Sequence, residues 1–278
     1  MASLFRIALL AFVVLFGFGC STFAIQKDRM SAVKKVAIIG FSVEQERTSE
    51  LKISWTSGGE GWKAGAQEKT AAGDDRYARG PKKGTVWNTA EASHIGGVYR
   101  ALGKQLEKEL GMQVADPERL LNNHAYSEMA AKERMTARWI PMNPQPMDFF
   151  SLPGIASPEK ANRFSKEERE QLQRELGVDA LAVAVVRIHF ERNDNLVIGK
   201  FSAGSYVPSV QTTFSLYDAK DDEAIWKDFM VAGERGKGQF QASGITNEEL
   251  LYKKAVNASE LSFHQLIERY RAEVASSR

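Results

Sequence analysis

The chain has 278 residues, 43% of them hydrophobic and 26% charged; that is room for one large or two small domains and excludes a wholly disordered chain. Lys and Arg total 37 against 35 Asp and Glu, a formal net charge of +2, which argues against a strongly basic nucleic-acid binder. The single cysteine, Cys20, excludes an intrachain disulfide framework and a cysteine-based zinc cluster.

The N-terminus reads MASLFRIALLAFVVLFGFGC. Arg6 is the only charge before Lys27, Ile7 to Phe16 is an apolar run, and small residues follow, so residues 1–19 have the pattern of a secretory signal. The segment before Cys20 resembles the lipobox of bacterial lipoproteins: its four positions are Gly17, Phe18, Gly19 and Cys20, with Gly19 matching. The resemblance implies that Cys20 becomes the lipidated first residue. Ser21 follows it rather than aspartate, which by the rule of that family implies the periplasmic face of the outer membrane. Two other readings stay open. Thr22-Phe23-Ala24 also fits an ordinary signal-peptidase exit and a soluble periplasmic protein, and Ile7 to Ile25 is nearly long enough to remain as an uncleaved anchor.

Residues 20–33 are expected to be a lipidated polar tether, and residues 34–278 one α/β domain. VAIIGFSV at 36–43 is a β-branched apolar run bounded by charge, the pattern of a central strand covered on both faces. Residues 44–90 carry Gly58, Gly59, Gly61, Gly65, Gly73, Gly80 and Gly84 and little apolar periodicity, and read as a long irregular insertion. Trp55, Trp62 and Trp87 within it either pin it to the body or meet a partner. From about Glu91 to Leu110 the recurrence of Ile95, Val98, Leu102, Leu106 and Leu110 predicts a helix stopped by Gly111. Met112 to Ala115 reads as a short strand, and Asp116-Pro117 as the cap of a second helix running past Met129.

Residues 139–158 hold five of the eight prolines, so regular structure is not expected there. The segment is nonetheless apolar. It either crosses the body of the domain or forms a contact surface, in which case Trp139, Phe149 and Phe150 are the candidate partner-binding residues. Ser165 and Glu168 form a capping-box pattern before a helix that ends at Gly177. ALAVAVV at 180–186 reads as a second buried strand, continuing to about Phe190. Asn193-Asp194-Asn195 reads as a turn, 196–201 and 207–217 as strands, Asp218 to Glu223 as a charged turn, and Ala224 to Val231 as the returning strand. Residues 233–245 are polar and Gly-rich. Thr246 and Glu249 make another capping box before a long final helix striped by Tyr252, Val256, Phe263, Ile267, Tyr270 and Val274.

This order predicts an α/β fold, a single domain with a mixed sheet covered by helices. A lysine-led VAIIGF strand, a helix ending in ELG, a short strand, a proline-opened helix, LGVDALAVAVV and a strand–DAKDDE–AIW hairpin resemble a superfamily of periplasmic lipoproteins. It includes the curli secretion lipoprotein, the lipoprotein activator of penicillin-binding proteins and, similar to them, the amino-terminal domain of the Tol-system propeller protein. The resemblance implies an anticodon-binding-domain-like fold.

The residue types that carry chemistry are sparse. His94, His124, His189 and His264 include no HExxH or close pair, so no metal is expected. There is no GxSxG elbow. Gly80 to Thr85 lacks the Gly-Lys-Thr ending of a phosphate loop, and Gly58-Gly59-Glu60-Gly61 does not follow a strand directly. Asp218, Asp221, Asp222 and Glu223 lack EF-hand spacing and read as a hairpin turn. Arg76, Arg79, Lys82 and Lys83 form a small basic stretch, either solvated or set against anionic lipid or glycan. The expected function is therefore a membrane-anchored, periplasm-facing lipoprotein, a non-enzymatic binding or assembly factor of the cell envelope. No cofactor, metal or nucleic acid is expected; the membrane and an envelope protein are the expected partners. Two alternatives remain: a subunit of a homo-oligomeric secretion pore or scaffold, and an envelope hydrolase with a distributed site.

Overall fold

The computed structural model describes residues 23–46, 63–64, 94–132, 147–152, 154–198, 201–232, 239–242 and 248–276. At its centre two apolar strands lie side by side and parallel, β2 (Lys35–Glu46) and β6 (Ala180–Ile198), paired from Val36↔Ala180 to Gln45↔Ile188 with one register shift between Ile38 and Gly40. Val36, Ile39, Phe41, Val43, Ala180, Leu181, Ala184 and Val186 are all fully buried. An uninterrupted apolar run fits here because both faces of the sheet are covered. Phe41 stacks edge-on against Tyr99 with ring centroids 5.3 Å apart, whereas a Cβ on neighbouring Gly40 would lie 2.5 Å from Ala161 Cβ. Adjacent strand positions face opposite sides, so Tyr99 and Ala161 belong to different layers.

The remaining strands among the described residues are β1 (Phe23–Ile25), β3 (Lys63–Ala64), β4 (Gln113–Val114), β5 (Met147–Ser151), β7 (Phe201–Tyr217), β8 (Trp226–Ala232) and β9 (Gln239–Ala242). Their order is β1-β8-β7-β6-β2-β5-β3, with β4 parallel to β2 and β9 antiparallel to β7. One helical layer contains α2 (His94–Leu110) and α7 (Glu248–Ala275), packed on each other, with α7 lying across β7 and β8. Ile95, Val98, Leu102 and Leu106 bury the face of α2 that their spacing predicts. The rest of the helices are α1 (Lys27–Met30), α3 (Pro117–Leu121), α4 (His124–Ala131), α5 (Pro158–Ala161) and α6 (Lys166–Leu176). The Ser165–Glu168 capping box forms, and Gly177 ends α6 in the left-handed conformation at φ 63°. The protein is thus an α/β domain with a mixed sheet packed against helices, as the element order predicts.

Several expectations are corrected. The segment read as a tether folds from Phe23 onward: Phe23 and Ile25 alternate onto the sheet edge, and Met30 and Val33 are buried. Part of the expected irregular insertion joins the sheet, since β2 runs to Glu46 and Lys63–Ala64 pairs with β5; the rest of 47–93 lies outside the described residues. In the proline-rich segment a strand forms at Met147–Ser151, because Pro146 and Pro153 bracket it and neither removes a donor from its ladder. The single helix expected after Asp116 is two, because the Asn123 side chain accepts from the Tyr126 amide at 2.8 Å and starts a new one. Asn193-Asp194-Asn195 is no chain reversal: pairing between β6 and β7 continues to Ile198↔Phe201, and the surplus residue is taken up as a bulge between Asp194 and Leu196. The capping box at Thr246 falls outside the described residues.

Candidate functional site

Two neighbouring features gather charged groups at one end of the sheet. The first is the β1 edge. β1 is antiparallel to β8, with Phe23 opposite Asp228, Ala24 opposite Lys227 and Ile25 opposite Trp226; the Gln26 amide donates to the Ile225 carbonyl at 2.7 Å. Trp226 and Asp228 share the inward face of β8 and neither is exposed. Trp226 packs on Phe214 and on Tyr270 of α7, with centroids 4.8 and 4.9 Å apart. Arg269, one residue before Tyr270, reaches Asp228 Oδ1 at 3.0 Å and lies 5.1 Å above the Phe23 ring. Arg269 acts on this carboxylate chiefly as a nearby charge. Burial dominates the balance and pushes the Asp228 carboxyl up to about 6, with Arg269 pulling the other way.

The second feature is a surface cleft of ≈ 460 Å³ where α1, α6, the start of β6 and the β7–β8 turn converge. Three cations (Arg29, Arg174, Lys220) and three carboxylates (Glu170, Asp179, Asp218) line it. Arg29 forms charge-assisted hydrogen bonds with Asp218 and Asp221, and its pKa is raised chiefly by the Asp218 bond. The same bonds hold the Asp221 carboxyl below its ordinary value. Asp179 Oδ2 accepts from the amides of Lys34 and Lys35, each at 2.8 Å, which caps the start of β2. Beside the cleft, Arg169 is buried: it donates twice to the Phe164 carbonyl, reaches Asp222 and stacks 4.4 Å over Tyr217. The charged turn foreseen at 218–223 is thus held by two arginines from different helices. A balanced set of both signs, largely paired within the wall, suits contact with a polar segment of mixed charge.

The residues singled out from sequence fall elsewhere. Cys20 and Trp139 lie outside the described residues. Phe149 and Phe150 are strand residues of β5, paired with Glu44 and Val43 on one side and with Ala64 and Lys63 on the other, so that stretch is inner sheet rather than a free segment. His124 opens α4, exposed and 3.6 Å from Glu128; His189 lies on β6 and His264 on α7, so the three sit on different elements. Among the described residues no three His, Cys, Asp or Glu converge as for a metal ion. Sequence reasoning missed Asp228, Arg269 and Arg29. The available signal was Asp228 itself, a charge at the inward position of an alternating strand, WKDFMVA.

No protein-family model matches the chain, and no curated protein is significantly similar to it. Among solved structures, that of the hypothetical protein CT253 from Chlamydia trachomatis is 13% identical; the match covers 87% of this chain and 96% of that one, at a TM-score of 0.28.

Proposed function

We propose that the protein is a lipoprotein anchored through Cys20 at the periplasmic face of the outer membrane, serving as a non-enzymatic binding or assembly factor of the cell envelope. One observation carries this reading: Phe23–Ile25 is a strand of the folded domain, hydrogen-bonded to β8. Cleavage before Cys20 keeps that strand whole. Cleavage after Ala24 would remove two of its three residues. An uncleaved helix would have to stop before Phe23, leaving Ile7 to Thr22, shorter than the roughly 20 residues that a spanning helix needs. The mixed-charge cleft beside α1 is the surface offered to a partner, and confinement to a membrane raises the effective concentration of a membrane-resident one. The test is mass spectrometry of the mature N-terminus together with partners cross-linked in native membranes. An acylated N-terminal Cys20 and stoichiometric recovery of another envelope protein are expected. An N-terminus at Ile25, or an intact Met1, overturns the anchor; recovery of this chain alone overturns the assembly factor.

A second reading, a homo-oligomeric pore or scaffold, draws on the β6–β7 hairpin. Pairing with β2 ends at Ile188 while β6 continues to Ile198, so ten residues run past the end of their neighbour. That is the length of strand that crosses a bilayer. A ring-sized oligomer with ion conductance in planar bilayers supports this reading; a monomer without conductance refutes it.

A further inference from the structure

Cys20 is three residues from Phe23, and three Cα–Cα steps span at most about 11 Å. Phe23 is not free to swing away. It is paired with Asp228, covered by the Arg269 guanidinium and followed by α1, whose Arg29 is clamped to Asp218 and Asp221. A lipid on Cys20 therefore keeps this edge of the sheet within about 11 Å of the bilayer surface.

The chemistry of the edge suits that neighbour. On the face of β8 away from α7, Lys227 is exposed and its ammonium lies 4.7 Å over the ring of half-buried Phe229. On the opposite face Arg269 keeps 42% of its side chain exposed. Lys27, two residues after β1, bonds the Glu273 carbonyl and pairs with the Glu273 carboxylate at 3.3 Å near the C-terminal end of α7, its side chain still partly exposed. Cations on both faces of this edge, one of them over an aromatic ring, match phosphate headgroups above an apolar layer. A large docking area is not required, because the acyl chains supply the affinity and the edge sets only the orientation.

We propose that the β1–β8 edge lies against the phospholipid surface, with Lys27, Lys227 and Arg269 meeting headgroup phosphates and Phe229 at the interface; this rests on the acylation of Cys20 proposed above. The far strands and α4 then project into the periplasm. β2 is four strands from β1 in the sheet, about 19 Å at the usual spacing, and α4 is joined to β2 through the Tyr126 hydroxyl, which donates to the Ile39 carbonyl.

The test uses the full acylated chain in vesicles of phosphatidylethanolamine and phosphatidylglycerol. With Cys20 acylated, a cysteine introduced at exposed Ala24 or exposed His124 is the single free thiol for a nitroxide label. Collision with a water-soluble nickel chelate is expected to be several-fold lower for Ala24→Cys than for His124→Cys. Lys227→Glu added to Ala24→Cys is expected to restore most of that access while leaving acylation intact. Equal access at both positions on a chain shown to be acylated overturns the orientation and leaves the lipoprotein reading standing. An unacylated Cys20 overturns both. Protection of Ala24→Cys that persists in detergent without vesicles, and rises with protein concentration, overturns it in favour of a second copy on the edge.

Discussion

Asp228→Asn tests the physical account of the β1 edge most directly. Asp228 has no exposed surface, and its carboxyl is raised to about 6, whereas an unfolded aspartate titrates near 3.9. The folded state therefore holds the proton more tightly than the unfolded one. Stability from this group is fully present below the unfolded pKa and is lost as pH rises through about 6. A displacement of about two pK units corresponds to about 3 kcal/mol, an upper bound because the part-exposed Arg269 guanidinium lets solvent screen the site. Asparagine mimics the protonated acid in shape and charge. The variant should match the parent at about pH 4 and exceed it by about 1–3 kcal/mol at about pH 8, where the parent carries a buried charge. Urea unfolding followed by tryptophan fluorescence at the two pH values reads this, and subtracting variant from parent cancels the other titrating groups. A difference that does not change with pH, or a variant less stable at about pH 8, would show that the Arg269 attraction outweighs desolvation, and the reasoning would fail.

Three further predictions address other parts of the fold. Tyr126→Phe removes a buried hydroxyl that donates to the Ile39 carbonyl at 2.6 Å and accepts from the Ala156 amide at 2.7 Å; two orphaned backbone groups should cost about 2–4 kcal/mol by chemical denaturation. Gly40→Ala places a methyl group 2.5 Å from Ala161 Cβ, so it should destabilise by about 1–3 kcal/mol, with Ala161→Gly restoring part of the loss in the double variant. Arg29→Ala leaves Asp218, whose side chain is 10% exposed, without its cation; a loss of about 1–3 kcal/mol is expected, with hydrogen exchange rising first at residues 26–33. Unchanged exchange there would mean that α1 is held by Met30 and Val33 alone.

The core of this fold was legible because its signals are local. VAIIGFSV and ALAVAVV are long β-branched runs, α2 repeats its apolar residues every three or four positions, and α6 carries both its capping box and its glycine stop. Each is set by residues within one or two turns of one another. What misled was equally local. Glycine and charge marked 44–90 as irregular and proline did so at 139–158, yet Lys63–Ala64 and Met147–Ser151 find their ladder partners on elements distant in sequence. Likewise Asn193-Asp194-Asn195 has turn composition, but seventeen residues of β7 opposite it outweigh that preference.

The candidate site shows the same division. Sequence alone picks out Cys20 by its place after an apolar run, and the charged turn at 218–223 by composition. It does not show that Phe23 meets Asp228 across more than two hundred residues of chain, or that Arg269 covers both. A salt bridge between sequence-distant residues leaves no periodicity, and the cost of burying Asp228 depends on which strands and helices close over it. Local pattern determined the elements; the long-range pairing of sequence-distant segments decided where the titratable carboxylate sits and which edge of the sheet the N-terminal strand occupies.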